Sequence, residues 1–549
     1  MVGKLPQDSM TMDDLPNDDK IQVVDISLPA NDFGLSDERI QAAQEDARRQ
    51  ASMSVRDGLR KYRSAAMWAF LMSLTYFMES YDYGLMGSLF GFPAFAKKYG
   101  TRTAKGTYNV SATQQTVLKQ ITKCGQLIGL YFAGSLNDRF GYKWTMLGSL
   151  ALIVPIVFMQ FFAPSAGVLI AAQFLIGIPL APFLTLANVY AAEVSPLSLQ
   201  PYLTSLYSLS SSMSSFIATG LLRGLLHSSL TNSYRIAFAV QWIWLPPLAV
   251  VVWFAPESPT WCIRAGQMDR ARIALKRLSG PDETDEQIEN RLALLQYTDA
   301  LEKHYSASTS YLECFRGTNL RRTEIAAMVY SAENLDGYDI ASSTTYFFQQ
   351  AGLSATQSFD LGLGNNAISF VCTFIAWWFM RYIGRRKLFV FALFSTVIIL
   401  LAIGGLGVPE PTVALGWATG GICFLFTVIF KICQGPLTYT IVTDIPSTRL
   451  RAKTVVIARA GFLCSAVFMA TLVNYQINAT AWNWRGKAGF FWAGFCLLVA
   501  IWSYFRLPET KDRTPAQLDK LFADGVPARI FASQHVDTVE YTEESTGQV

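Results

Sequence analysis

Residues 134–144 read GSLNDRFGYKW, and residues 380–387 repeat the pattern in weaker form as MRYIGRRK. Two further pairs follow in the same order: AEVSPLSLQ at 192–200 with TDIPSTRLR at 443–451, and PESPTW at 256–261 with PETKDRT at 508–514. The glycines Gly141 and Gly384 are offset by 243 residues, the acids Glu193 and Asp444 by 251, and Glu257 and Glu509 by 252. Three ordered pairs at nearly one spacing mark an internal duplication, so the chain is read as two halves of one design.

What lies between the motifs fixes the class. The 549 residues are 51% hydrophobic and only 16% charged, too little charge to wet a soluble surface of that size. The apolar residues gather into runs such as 169–192 and 388–406. Each is long enough to cross a hydrocarbon core of about 30 Å as a helix. Spans are expected near 65–88, 115–136, 143–163, 167–191, 203–225 and 236–255, then near 325–348, 361–381, 387–406, 414–442, 454–475 and 488–506. The expectation is an all-α integral membrane protein of twelve helices in two pseudo-symmetric six-helix halves, with the lipid bilayer as its medium. The organisation read from this is a polar tail over 1–64, a six-helix bundle over 65–256, a linker with short helices over 257–323, a second bundle over 324–507 and a tail over 508–549.

The tail before the first span is acidic at Asp13, Asp14, Asp18 and Asp19 and has no apolar core for a cleaved signal, so the first span is the expected targeting element. A short surface helix is expected within 35–61. Basic residues set the orientation, because Lys and Arg are retained on the cytoplasmic side. With both termini cytosolic, Arg139, Lys143, Arg381, Arg385, Arg386, Lys387, Arg449, Arg451 and Lys453 all fall in inner loops. The sequons at Asn109 and Asn478 then fall in outer loops, where glycans are added.

Composition also excludes functions. The net charge of +4 carries no basic block interleaved with aromatics, so no nucleic acid partner is expected. The eight cysteines follow neither metal-ligand nor disulfide-framework spacing. The three histidines, His227, His304 and His535, are not spaced with a nucleophile or a second metal ligand, and there is no phosphate-binding glycine loop. No metal, cofactor or enzymatic activity is expected.

Each repeated motif couples acids with bases at a helix end. Asp138 and Arg139 adjoin Gly141, and Glu193, Glu257, Asp444 and Glu509 are within reach of arginines such as Arg385, Arg386, Arg449 and Arg451. Together they are expected to form a charged cytoplasmic gate that closes in one state and parts in another.

These strings in this order resemble the sugar porter family of the major facilitator superfamily, over most of the span from Met67 to Thr514. Within it, MESYDYGLMGS at 78–88, AEVSPLSLQPYL at 192–203, YRIAFAVQWIW at 234–244 and TYFFQQAGLS at 345–354 are most similar to fungal maltose-permease-like symporters of α-glucosides and protons. The resemblance implies the major facilitator fold, a small-molecule sugar substrate and protons as the coupling ion. It also implies a plasma-membrane location.

Polar groups inside the spans stand out on physical grounds as well. Glu79 and Asp82 are three apart in the first span and share a helix face, and an ionisable group in a membrane is costly unless it is used, which makes them the proton-coupling candidates. Gln126 stands where such relatives usually carry an acid, Ser215 where a glutamine usually meets the sugar, and Glu333 beside Asn334 where two amides are usual. Amides suit hydroxyls because they both donate and accept, so these replacements alter the expected sugar complement. Glu333, Asp336 and Asp339 concentrate in the seventh span, with Lys431 inside the apolar run of the tenth. A Lys431–Asp339 pair is expected, and the cluster reads equally as a structural ion pair or as the substrate site. Gly337 and Gly435-Pro436 offer helix breaks, and Tyr338, Tyr346, Phe347, Phe348, Trp377, Trp378 and Tyr439 are candidates to stack on a sugar ring. The leading function is secondary transport of a sugar or α-glucoside by alternating access. The alternatives are a non-sugar metabolite on the same fold and a nutrient sensor.

Overall fold

The computed structural model describes residues 36–534, apart from positions 52, 54, 103–107, 197–198, 205, 229–231, 281–282, 308–309, 343, 448–449, 480, 512 and 514. The acidic N-terminal stretch with Asp13 to Asp19, and Arg449, lie outside the described residues.

Eight helices are long and apolar enough to cross a membrane by length and hydropathy alone. One of them, Ala112–Phe161, is two spans joined at Gly141, where φ of 82° is a backbone conformation that L side chains resist. The three remaining spans escape a hydropathy search because they are broken or polar, and they bring the total to twelve. The first is split into Arg63–Ser73 and Tyr76–Leu89, the fifth is the serine-rich Leu206–Leu225, and the seventh is Gly317–Leu335 followed by Tyr338–Ser342 and Thr344–Gln350. These three carry Glu79, Asp82, Ser215, Glu333 and Asp339, so the features that hide them from hydropathy are the ones that furnish the interior.

The other spans are Ala166–Val194, Ser233–Ala239 with Gln241–Phe254, Ala355–Tyr382, Arg385–Leu406, Val413–Ile429 with Gly435–Asp444, Arg451–Ile477 and Ala488–Arg506. In the tenth span a single π turn, Phe430–Gln434, precedes Pro436, which has no N–H to continue an α ladder. The sixth span leads into linker helices Pro259–Arg264, Met268–Leu278 and Asp285–Ala307. The surface helix expected before the first span is Asp37–Ala51, followed by Val55–Lys61. It packs Ile40 and Ala43 on Ala293 and Tyr297 of the linker, while Arg49 bridges Asp46 and Glu283.

On the face away from the linker, the halves share one apolar core, in which Leu89, Phe92 and Leu222 meet Ile340, Phe347 and Phe359. Hydrogen bonds reinforce this closure: Gln349 Nε2 donates to the Gly91 carbonyl at 2.8 Å, and Thr113 and Tyr475 hydroxyls meet at 3.1 Å. The side of the bundle away from the linker is therefore shut.

Candidate functional site

The two acids of the first span are separated by their surroundings. Side chains three apart on a helix differ by about 60° in direction, enough to send them to different neighbours. Asp82 is buried within its own half and accepts from Gln160 Nε2 at 3.2 Å, Gln241 Nε2 at 3.4 Å and Gln173 Nε2 at 3.5 Å, one amide from each of three other spans. Glu79 is half-buried, accepts from Gln126 Nε2 at 3.1 Å and from the Tyr76 hydroxyl of its own half, and lies in the field of Arg459 of the second half.

The seventh span divides in the same way. Asn334 faces into its own half and donates to the Phe462 carbonyl at 3.1 Å and to Ser465 Oγ at 3.0 Å. Asp336 is fully buried and accepts the Tyr338 N–H and Gln434 Nε2, both at 2.8 Å, tying the break at Gly337 to the π turn of the tenth span. Two of the expected substrate ligands thus have polar partners in the wall. Glu333 and Asp339 are half-buried and not sealed in.

The expected pairing of Lys431 with Asp339 is not what the electrostatics favour. The acid beside Lys431 is Glu333, which Thr438 also hydrogen-bonds, whereas Asp339 lies in the field of Lys119 and Lys123 of the second span. Ser215 is half-buried against Gly84, and its carbonyl accepts from Asn366 Nδ2 of the eighth span at 3.2 Å. Of the candidate aromatics, Tyr346, Phe347 and Phe348 belong to the closed far-side core, Trp378 is 60% exposed on the outer surface, and Tyr338 is covered by Phe430 at 3.9 Å. Tyr439 packs edge-on against Tyr330, and Trp377 against Tyr202 across the halves.

Three charged residues at the interface were missed by sequence reasoning. Arg459 of the eleventh span donates to the Tyr330 hydroxyl, lies 5.0 Å over the Phe462 ring and neighbours both Glu79 and Glu333, one acid from each half. Lys123 lies 5.7 Å over the Tyr83 ring, and Lys119 is 5.7 Å from that of Phe90. All three stand close to the start of a span, where a charge reads as a helix-end anchor. The signal available was the stripe Lys119, Lys123, Gln126, spaced by four and then three residues on one face.

At the linker face the repeated acids act mostly on backbone. Glu257 accepts the N–H groups of Tyr142 at 2.9 Å, Ser258 at 3.3 Å and Lys143 at 3.4 Å. Glu509 accepts those of Arg385 at 2.9 Å and of Arg386 and Lys511 at 3.2 Å. Glu193 accepts from the Ser258 hydroxyl, Asp444 pairs with Arg385, and Arg386 donates to the Tyr504 carbonyl at 2.8 Å. Arg451 sits near Asp519 of the helix Pro515–Ala523. Asp138 and Arg139 have exposed side chains, and it is the Asp138 carbonyl that Trp261 Nε1 contacts, at 3.2 Å. At the opposite face, Asn478 is wholly buried, donating to the Val110 carbonyl at 3.1 Å, and Asn109 donates to the Tyr346 hydroxyl at 3.1 Å.

Residues 68–522 match the family model described as "Sugar (and other) transporter". A maltose permease of Saccharomyces cerevisiae is 34% identical over 530 residues, covering 95% of this chain and 84% of the relative. A general alpha-glucoside permease of the same yeast is 34% identical over 513 residues, covering 92% and 82%. Among solved structures, the xylose transporter XylE from E. coli in a partially occluded inward-open conformation aligns with a TM-score of 0.62 at 17% identity, covering 82% of this chain and 99% of that one. The proton:xylose symporter XylE bound to 6-bromo-6-deoxy-D-glucose aligns at 0.64 and 16% identity, covering 85% and 100%.

Proposed function

The chain belongs to the sugar transporter family of the major facilitator superfamily, and from that premise we propose that it carries a sugar or α-glucoside across the membrane together with protons. It is a multi-pass membrane protein, and transport proceeds by alternating access of two six-helix halves to a site between them. The observation that carries the coupling assignment is the position of Glu79. It is the first-span acid that lies in the field of a base of the other half, Arg459. Proton binding to Glu79 removes a charge that Arg459 neighbours across the interface, so occupancy by a proton biases how the halves meet. Asp82, surrounded by amides of its own half, holds the first span in register. Both acids are proton-coupling candidates from sequence; this reading gives the proton to Glu79 and a packing role to Asp82. The linker face is assigned to the cytosol on the basic residues of the linker-side loops, and the membrane to the plasma membrane on the resemblance to α-glucoside permeases.

Uptake of labelled maltose into cells lacking their own α-glucoside carriers, with and without a proton gradient, tests the reading. Glu79→Gln is expected to abolish accumulation while leaving exchange across the membrane, and Asp82→Asn to lower both together through its effect on packing. If Glu333→Gln uncouples and Glu79→Gln does not, the proton site lies in the second half. Uptake that ignores pH and membrane potential in the wild type removes coupling altogether.

A further inference from the structure

Immediately before the first span, residues 55–63 read VRDGLRKYR, four bases to one acid. The helix Val55–Lys61 ends at Tyr62, whose φ of −107° and ψ of 41° leave the helical range, and the first span starts at Arg63. At this bend lies an open hollow of about 750 Å³, lined by Arg56, Asp57, Leu59, Arg60 and Arg63. Arg56 and Arg60 stand one turn apart on one helix face. They and Arg63 are exposed, and none of the three has a hydrogen-bond or ion-pair partner among the described residues. Acids of the adjoining linker are engaged elsewhere: Glu283 with Arg49 and the Tyr62 hydroxyl, and Asp285 with Lys276 at 2.7 Å. Glu286 is exposed and does not line the hollow. Within it, Asp57 is the one acid set against three guanidinium groups.

The same surface becomes apolar towards the membrane. Arg63, Met67 and Phe70 follow at helical spacing on one face of the first span, with Met67 49% and Phe70 41% exposed. Ser64 Oγ donates to the Arg277 carbonyl at 2.5 Å, which brings the linker helix Met268–Leu278, with Ile273 and Arg277 exposed, to this edge. Bases that stand just beyond lipid-facing carbon at the end of a span meet the headgroup layer. Guanidinium forks match the free oxygens of a phosphodiester, and the apolar strip below them matches its acyl chains. A free phosphate would use the forks and leave the strip idle.

We propose that this hollow binds the headgroup of an anionic phospholipid of the linker-side leaflet, its phosphate on Arg56, Arg60 and Arg63 and its acyl chains along Met67 and Phe70. The test is binding of tail-labelled phosphatidylserine and phosphatidylcholine to the purified full chain in uncharged detergent, read by fluorescence anisotropy. Phosphatidylserine is expected to bind at lower concentration than phosphatidylcholine. Each base beside an anionic headgroup is worth about fivefold, so Arg56→Gln/Arg60→Gln should raise the half-saturating concentration of phosphatidylserine about twentyfold. Arg56→Lys/Arg60→Lys keeps the charge and should stay within about threefold of the wild type. Asp57→Asn removes the one acid of the hollow and should tighten binding about threefold, a direction that damaged packing would not produce. If the double glutamine variant does not fold, the lysine pair and Asp57→Asn decide the matter. Equal binding of the two lipids would overturn the proposal, as would phosphatidylserine binding that the folded double variant leaves unchanged. Displacement of the lipid by inorganic phosphate at the same concentration would overturn it too, in favour of a free-ion site. Sugar uptake is no part of this readout, so a failure here leaves the carrier reading intact.

Discussion

Glu257 and Glu509 occupy matching places in the two halves and make matching contacts, each accepting two backbone N–H groups at the turn that precedes a span and a third from the residues just after itself. A Cβ on Gly141 would meet Glu257 Oε2 at 2.8 Å, and one on Gly384 would run into Glu509 Oε2, so each turn needs a glycine for the carboxylate to approach. Around this shared feature the halves differ. In the first, the next acid, Glu193, is satisfied by the Ser258 hydroxyl; in the second, Asp444 is satisfied by the Arg385 guanidinium. What the duplication has kept is an acid that caps backbone, and what it has varied is the partner of the second acid. The expected gate of side-chain ion pairs is in this conformation chiefly a pair of helix caps.

The sharpest way to break this equivalence is to remove each cap. Glu257→Ala and Glu509→Ala strand three N–H groups apiece and are each expected to cost about 2–3 kcal/mol of stability. Unfolding of the purified protein in detergent measures this, and the double variant should lose uptake almost entirely. Unequal costs would show that one half leans on its cap more than the other. A smaller effect is expected from the partners that differ. Ser258→Ala removes one donor from the half-buried Glu193, leaving the Tyr142 hydroxyl beside it, and should cost about 1–2 kcal/mol. Arg385→Ala, with both members of its pair partly exposed, should cost up to about 1 kcal/mol. The reverse order would mean that the ion pair, and not the hydroxyl, is the tighter fastening.

A third prediction separates the halves by pH. Burial holds the Glu257 carboxyl above the ordinary glutamate value of 4.5, with the N–H donors opposing it. The folded chain therefore binds this proton more tightly than the unfolded chain does. The stability Glu257 contributes is full below that ordinary value and is lost as pH rises through the raised one. Glu257→Gln should flatten that part of the stability profile, by well under the cost of Glu257→Ala at the same pH. A profile unchanged by the amide would remove burial of this acid from the account.

The caps were legible in sequence because duplication exposes position: Glu257 and Glu509 are fixed by spacing and need no contact to be found. The twelve spans were legible too, including the three that a strict hydropathy threshold omits, because shorter or interrupted apolar runs still stand out between the polar loops. What sequence could not give was the direction of side chains inside the bundle. Glu79 and Asp82 read as equivalent from their spacing, yet one lies beside a base of the other half and one is closed in by its own, a distinction made by residues 47 to 380 positions away, from Gln126 to Arg459. Arg459 was overlooked for a related reason. Near the start of an apolar run it looks like an anchor, and only the packing of the eleventh span against the first half brings it beside Glu79.

The smallest effect expected is on stability at Asp138, and it tests whether the duplicated motif does more than cap helices. By the repeat, Asp138 corresponds to Arg381, so the halves carry opposite charges at one place in the motif. The Asp138 side chain is exposed, and what it offers Trp261 is a carbonyl that any residue supplies. Asp138→Ala should therefore leave stability within about 0.5 kcal/mol of the wild type. Uptake is nevertheless expected to slow, because an acid and a base at matching sites attract when the halves approach on the linker face, a movement that alternating access requires. The substitution removes that attraction without touching the caps, so a slower turnover at unchanged stability isolates it. If stability and uptake are both unchanged, Asp138 is a surface charge and the duplicated motif is only a capping device.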